Sequence, residues 1–216
     1  MRNLDSIRVL VITGGLQKLS KTVAPLLEAH ARGATFALVV RAYDAPIGVQ
    51  YTFVRELRRA LPIEIPVIFA GHPEGAREAS ADGVHLGRRV ATVAEARRYF
   101  PTGTWVSVPG HTADDIADAE REGAYAALVS PVESAPGKGH PIGFTGLSAM
   151  LAGASAGPLR AFALGGMGPG SGEPSLRAGA HGIAVIRSVW SARNPADSLH
   201  SLWTEVEAAA STGAAP

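Results

Sequence analysis

AFALGGMGPGSGEPSLRAGAHGIAVIRSV, residues 161–189, reads as an apolar strand, a glycine pair, a short helix, a second apolar strand and a closing loop. Gly165 and Gly166 stand where the first strand ends, and Arg187 and Ser188 where the second ends. Glycine lets backbone N–H groups come close to an anion, because no Cβ blocks the path. In a (β/α)₈ barrel the loops after strands seven and eight commonly form a phosphate cradle. Two such strand ends in succession near the C-terminus suggest a phosphate site. Taken alone, the glycine pair reads equally well as a tight strand-to-helix turn.

Upstream the same alternation repeats. Apolar runs at 7–13, 35–41, 65–69, 83–86, 105–108 and 126–130 precede helical stretches at 16–32, 47–61, 72–79, 93–100, 113–122 and 147–152. With the opening stretch the strands number eight, and a last helix is expected over 195–208. Continuous rather than alternating apolar runs belong to parallel strands buried on both faces. The expectation is a single α/β domain, a (β/α)₈ TIM barrel over residues 1–208, with 209–216 as a frayed tail. A doubly wound sheet is the alternative, and eight units argue against it.

Composition bounds the function. The chain has 216 residues, 46% hydrophobic and 18% charged, enough to bury a sizeable core. A net charge of +1 leaves no electrostatic footprint for nucleic acid or a membrane surface. No cysteine is present, which excludes disulfides and thiolate chemistry. The N-terminus lacks a signal-like apolar region, and no apolar run approaches the ~18 residues of a membrane span. A cytoplasmic protein is the default expectation.

Barrel chemistry sits at the C-terminal ends of the strands. The candidates there are Arg41 and Tyr43, His72, His85, Ser107 and His111, the segment 130–138, Gly165 and Gly166, and Arg187 and Ser188. A small molecule bearing a phosphate is the expected ligand. Lys138 lies in a Gly/Pro-rich loop long enough to fold over it. Plainer roles stand beside these: His85 as barrel filling, His111 as the start of a helix, Glu133 as a solvated loop residue. His181 is expected at the bottom of the barrel.

Six stretches together resemble the thiamin phosphate synthase/TenI family: ADGVHLG (81–87), SVPGHT (107–112), SPVESAPGKG (130–139), PIGFTGL (141–147), ALGGM (163–167) and GAHGIAVI (179–186). They occur in family order and spacing. The resemblance implies a (β/α)₈ barrel acting in thiamin metabolism. Family synthases join a hydroxymethylpyrimidine diphosphate to a thiazole phosphate with Mg²⁺ and release pyrophosphate. Their second strand usually reads Q-L-R-E-K; here it is Val39-Val40-Arg41-Ala42-Tyr43, which keeps only the arginine. The two metal-binding aspartates align with Ala70 and Val90. The strand-six T-x-T-K becomes Ala135-Pro136-Gly137-Lys138, and Pro109 and Gly110 are extra residues after strand five.

These departures fall on the diphosphate side. On the thiazole-phosphate side Gly165, Gly166, Ser107 and Lys138 stand, and Arg187 replaces the usual serine. TenI-like members isomerise a thiazole carboxylate phosphate, a proton transfer that needs no metal. The resemblance therefore implies a metal-independent thiazole tautomerase, without cofactor. Arg41, Tyr43, Ser107 and Lys138 would bind substrate, and Gly165, Gly166, Arg187 and Ser188 the phosphate. The TenI histidine after strand six is Pro131 here, so His111, pushed inward by Pro109 and Gly110, ranks first as acid/base and Glu133 second. A divergent thiamin phosphate synthase and a non-catalytic ligand-binding barrel partnering a thiazole-forming enzyme remain the alternatives, and a homodimer stays open.

Overall fold

Runs of Val, Leu, Ile and Ala pair into strands because both faces of each can be covered, one by the barrel interior and one by helices. The computed structural model describes residues 4–87, 90–137, 139–153 and 158–213. A 3₁₀ turn at Leu4–Ser6 precedes β1 (Val9–Ile12), α1 (Leu19–Ala31), β2 (Ala37–Val40), α2 (Ile47–Ala60) and β3 (Val67–Ala70). Then come α3 (Pro73–Glu78), β4 (Gly83–His85), α4 (Val93–Ala96), β5 (Trp105–Gly110), α5 (Ala113–Arg121) and β6 (Ala126–Val129). The chain closes with α6 (Gly143–Ala152), β7 (Arg160–Leu164), α7 (Gly172–Arg177), β8 (Gly182–Val185), α8 (Arg187–Trp190) and α9 (Pro195–Ser211). Each strand pairs in parallel with the next, and β8 pairs with β1, so the barrel closes. It is the (β/α)₈ barrel that the sequence implies.

The core has two shells. Residues such as Val11, Leu38, Val67 and Val185 point outward against the helices. Leu10, Ile12, Val39, Ile68, Trp105, Leu128 and Phe162 fill the interior. Trp105 is the largest of these and fits because β4 offers no side chain opposite it. A Cβ on Gly83 would stand 2.4 Å from the Trp105 carbonyl oxygen and 2.5 Å from its Cβ.

The N-terminal end of the barrel is sealed by paired charges. Asp5 accepts the Tyr125 hydroxyl at 3.0 Å and pairs with Arg160, whose guanidinium lies 4.3 Å over the Tyr125 ring. Arg8 donates to the His181 carbonyl at 2.9 Å, and His181 Nε2 donates to the Ile7 carbonyl at 3.1 Å. Burial, with Arg8 and Arg160 nearby, pushes the His181 pKa down to about 4.

Several boundaries differ from expectation: α4 ends at Ala96 rather than 100, α1 and β1 are shorter at both ends, and three further differences bear on the site and the tail. β5 runs on through Pro109 and Gly110, which pair with Leu128 and Val129. Residues 187–189, expected as loop, begin α8. α9 continues to Ser211 with Ala209 buried, so the first residues assigned to the tail finish a helix. No helix among the described residues is long and apolar enough to cross a membrane.

Gly83→Ala should destabilise the fold by about 1–3 kcal/mol, the cost of overpacking a filled interior. Denaturant unfolding measures it, and an unchanged midpoint would show that the β4 and β5 backbones can shift apart to admit a methyl group.

Candidate functional site

At the C-terminal mouth a cavity of about 730 Å³ opens between the ends of β1, β2, β7 and β8. Gly14, Arg41, Leu164–Gly168, Ile186–Ser188 and Ser191 line it, and Ala135 and Pro136 reach it from the segment after β6. Thr13 aims Arg41 there. Its hydroxyl donates to the Arg41 carbonyl at 2.9 Å and accepts the Arg41 N–H at 2.8 Å, which adds a rung between the first two strands. Ala37 and Val39 face the interior, so residue 41 continues their side. Neither the Arg41 nor the Arg187 side chain has a hydrogen bond or ion pair among the described residues. The Ser188 hydroxyl oxygen is buried and also lacks a hydrogen-bond partner there. Two guanidiniums without partners among the described residues, beside glycine backbone on one cavity, make a wall suited to an anion.

The glycine pair has a second cause. Gly165 and Gly166 have φ of 96° and 73°, the left-handed region. Their neighbours are the backbone that follows β6: Val132 N–H donates to the Leu164 carbonyl and Glu133 N–H to the Gly165 carbonyl, each at 2.9 Å. A Cβ on Gly165 would sit 2.9 Å from Pro131 Cα, and one on Gly166 2.6 Å from Glu133 Cβ. A side chain at 166 would therefore displace this segment as well as obstruct an anion.

Below the cavity lies a polar chain. Trp105 Nε1 donates to Ser107 Oγ at 3.1 Å, and His85 Nδ1 lies 3.0 Å from the same oxygen. Indole only donates, so the serine proton is free to point at His85 Nδ1. Burial first, then the neighbouring Arg41 charge, pushes the His85 pKa down to about 4.

The structure brings Arg41, Gly165, Gly166, Arg187 and Ser188 together and leaves the other candidates apart. Tyr43 points into solvent and is no part of the cavity wall. Ser107 is 0% exposed and already holds Trp105 and His85, so it lies under the wall rather than in it. Lys138 lies outside the described residues. Pro109 and Gly110 do not push His111 inward, because they are spent on β5. His111 is exposed, with Nδ1 2.7 Å from the Ser130 carbonyl oxygen. Glu133 is half-buried beside Gly166 and does not line the cavity. His72 is exposed at the start of α3. Reading the sequence missed Gly14 as a lining residue, although Gly14-Gly15 marks a strand end as clearly as Gly165-Gly166 does.

The magnesium of the family synthases does not fit these residues. The end of β3 presents the buried methyl of Ala70, and Val90 offers an isopropyl group where a hard cation needs oxygen. Among the described residues no group of three or more His, Asp or Glu could hold a metal ion.

Fold and cavity define a (β/α)₈ barrel with a glycine-walled, cationic site at its C-terminal mouth. The chain belongs to the thiamine monophosphate synthase family, whose sequence profile matches residues 9–189. It is 32% identical over 206 residues to a thiamine-phosphate synthase of Anaeromyxobacter dehalogenans, covering 94% of this chain and 93% of that one. A thiamine-phosphate synthase of a Psychrobacter species is 24% identical over 200 residues, covering 90% and 92%. The solved thiamine phosphate pyrophosphorylase from Pyrococcus furiosus superposes with a TM-score of 0.80 at 25% identity, covering 96% of this chain and 99% of that one.

His85 and His181 stay neutral in the fold down to about pH 4, whereas an unfolded histidine takes up a proton near pH 6.5. The unfolded state then binds more protons, so stability is full above about pH 6.5 and falls as pH drops toward 4. By pH 5 the loss should reach at most about 2 kcal/mol per histidine, less where solvent screens the ring. Chemical denaturation at a series of pH values reads it, and His181→Asn should flatten the slope. A slope unchanged in that variant would remove His181 from this account.

Proposed function

We propose that this chain binds a thiazole phosphate or a close analogue and catalyses its tautomerisation without a metal. One observation carries the reading: the cavity keeps an anion-binding wall while the positions that would hold magnesium carry Ala70 and Val90. The phosphate would lie against Gly165 and Gly166 with Arg187 and Ser188 beside it. Arg41, on the far side of Gly14, would meet a second polar group of the ligand. A tautomerisation removes one proton and returns one, with no leaving group whose charge needs a cation.

Two residues could move that proton. A carbonyl only accepts, so the contact with Ser130 holds the proton on His111 Nδ1 and leaves Nε2 as the basic nitrogen. Glu133 is nearer the cavity, because its backbone is bonded to Gly165 and its Cβ faces Gly166. A second reading, a divergent synthase, is favoured by the relatives, which are thiamine-phosphate synthases.

The parent should turn over thiazole carboxylate phosphate equally well with and without EDTA. His111→Asn or Glu133→Gln should lower turnover by about 10²–10⁴-fold with ligand affinity retained, the range for general acid–base groups. Full activity in both discards the pair. Condensation with hydroxymethylpyrimidine diphosphate establishes the synthase instead, and binding without turnover a silent barrel.

Arg187→Ala should weaken binding of the phosphorylated ligand by about 1.5–3 kcal/mol, the scale of a charge-assisted hydrogen bond. Titration calorimetry measures it, and parental affinity would move the phosphate elsewhere.

A further inference from the structure

The cavity wall is held in place from outside. Gly166, Met167 and Gly168 line the cavity, and the loop that carries them is fixed at both ends. At the near end the Gly165 carbonyl accepts the Glu133 N–H. At the far end the half-buried Glu205 of α9 accepts two backbone N–H groups, Gly170 to Oε2 at 2.9 Å and Gly172 to Oε1 at 2.7 Å. A Cβ on Gly172 would stand 2.8 Å from Glu205 Oε1, so the missing side chain is what lets the carboxylate reach both amides.

The same helix holds the other half of the wall. The Ser198 hydroxyl donates to the Ser188 carbonyl at 2.6 Å, and Ser188 lines the cavity. Ser198 and Glu205 are seven residues apart, two helical turns, and so lie on one face. Leu199, Leu202 and Val206 bury that side of α9 against the barrel. One rigid element thus ties the β7 loop and the β8 loop together.

We propose that Glu205 and Ser198 are positioning residues for the anion site: they touch no ligand and set the spacing between Gly166–Gly168 and Ser188. This rests on the phosphate-binding reading above. A carboxylate acting only through its charge would repel a nearby phosphate, so removing it would tighten binding. A carboxylate that orders the loop has the opposite effect, and its loss weakens binding.

The test compares thiazole phosphate with the unphosphorylated thiazole alcohol by calorimetry, in the parent and in Glu205→Gln, Glu205→Ala and Ser198→Ala. The preference of the parent for the phosphate should fall about tenfold or more in Glu205→Ala, the scale of lost hydrogen bonds to a charged group. It should fall less in Glu205→Gln, which keeps one acceptor oxygen, and in Ser198→Ala. Affinity for the alcohol should hold, whereas a general loss of structure would lower both. Amide hydrogen exchange at Gly170 and Gly172 should quicken in the Glu205 variants. If Glu205→Ala does not fold, the other two variants carry the comparison. A preference unchanged or raised in the variants overturns the positioning role while leaving the site intact. A parent with no preference for the phosphorylated ligand overturns the site reading and this inference together.

Discussion

The seating of the chain after β6 against Gly165 and Gly166 governs the mouth of the barrel. Backbone meets backbone there, with Val132 and Glu133 donating to the carbonyls of Leu164 and Gly165. These bonds prolong the β6–β7 pairing past the strand ends, and they need both a left-handed turn and the absence of two side chains. The approach carries Ala135 and Pro136 over the cavity and turns the β7 loop toward β8. Wall and roof share one steric cause.

The barrel was legible because each strand is a short apolar run bounded by turn residues, and parallel strands buried on both faces leave that signature. The boundaries that differed lie where tertiary contacts decide. Pro109 and Gly110 look like the start of a loop, yet Ile116 of α5 packs so closely on Gly110 that a Cβ there would meet its Cδ1 at 2.4 Å. The strand persists because α5 covers it. The start of α8 was hidden because Arg187 and Ser188 show no periodic signal over so few residues.

The site was legible to the extent that it depends on local backbone. Glycines at strand ends and an arginine at the right parity can be read from the chain in order. Tyr43 and Ser107 could not be placed, because the direction of a loop side chain and the depth of a strand residue depend on neighbours distant in sequence. The ties from Glu205 to Gly170 and Gly172 span 35 and 33 residues, and nothing near Glu205 in the sequence marks it as their acceptor.

The two ends of the barrel treat charge in opposite ways. At the bottom Asp5, Arg8, Arg160, Tyr125 and His181 satisfy one another. At the mouth Arg41 and Arg187 have no hydrogen bond or ion pair among the described residues, and the buried Ser188 hydroxyl has no partner there either. An orphaned buried polar atom costs stability, and among the described residues Ser188 Oγ is one of those that bear this cost. What offsets it is order supplied from outside the wall: Thr13 fixes the Arg41 backbone, Ser198 the Ser188 backbone and Glu205 the β7 loop. Donors held in place before a ligand arrives need little reorganisation to bind it. Guanidiniums set on a fixed frame beside the glycine wall are the physical ground for the proposal that the chain acts at this mouth.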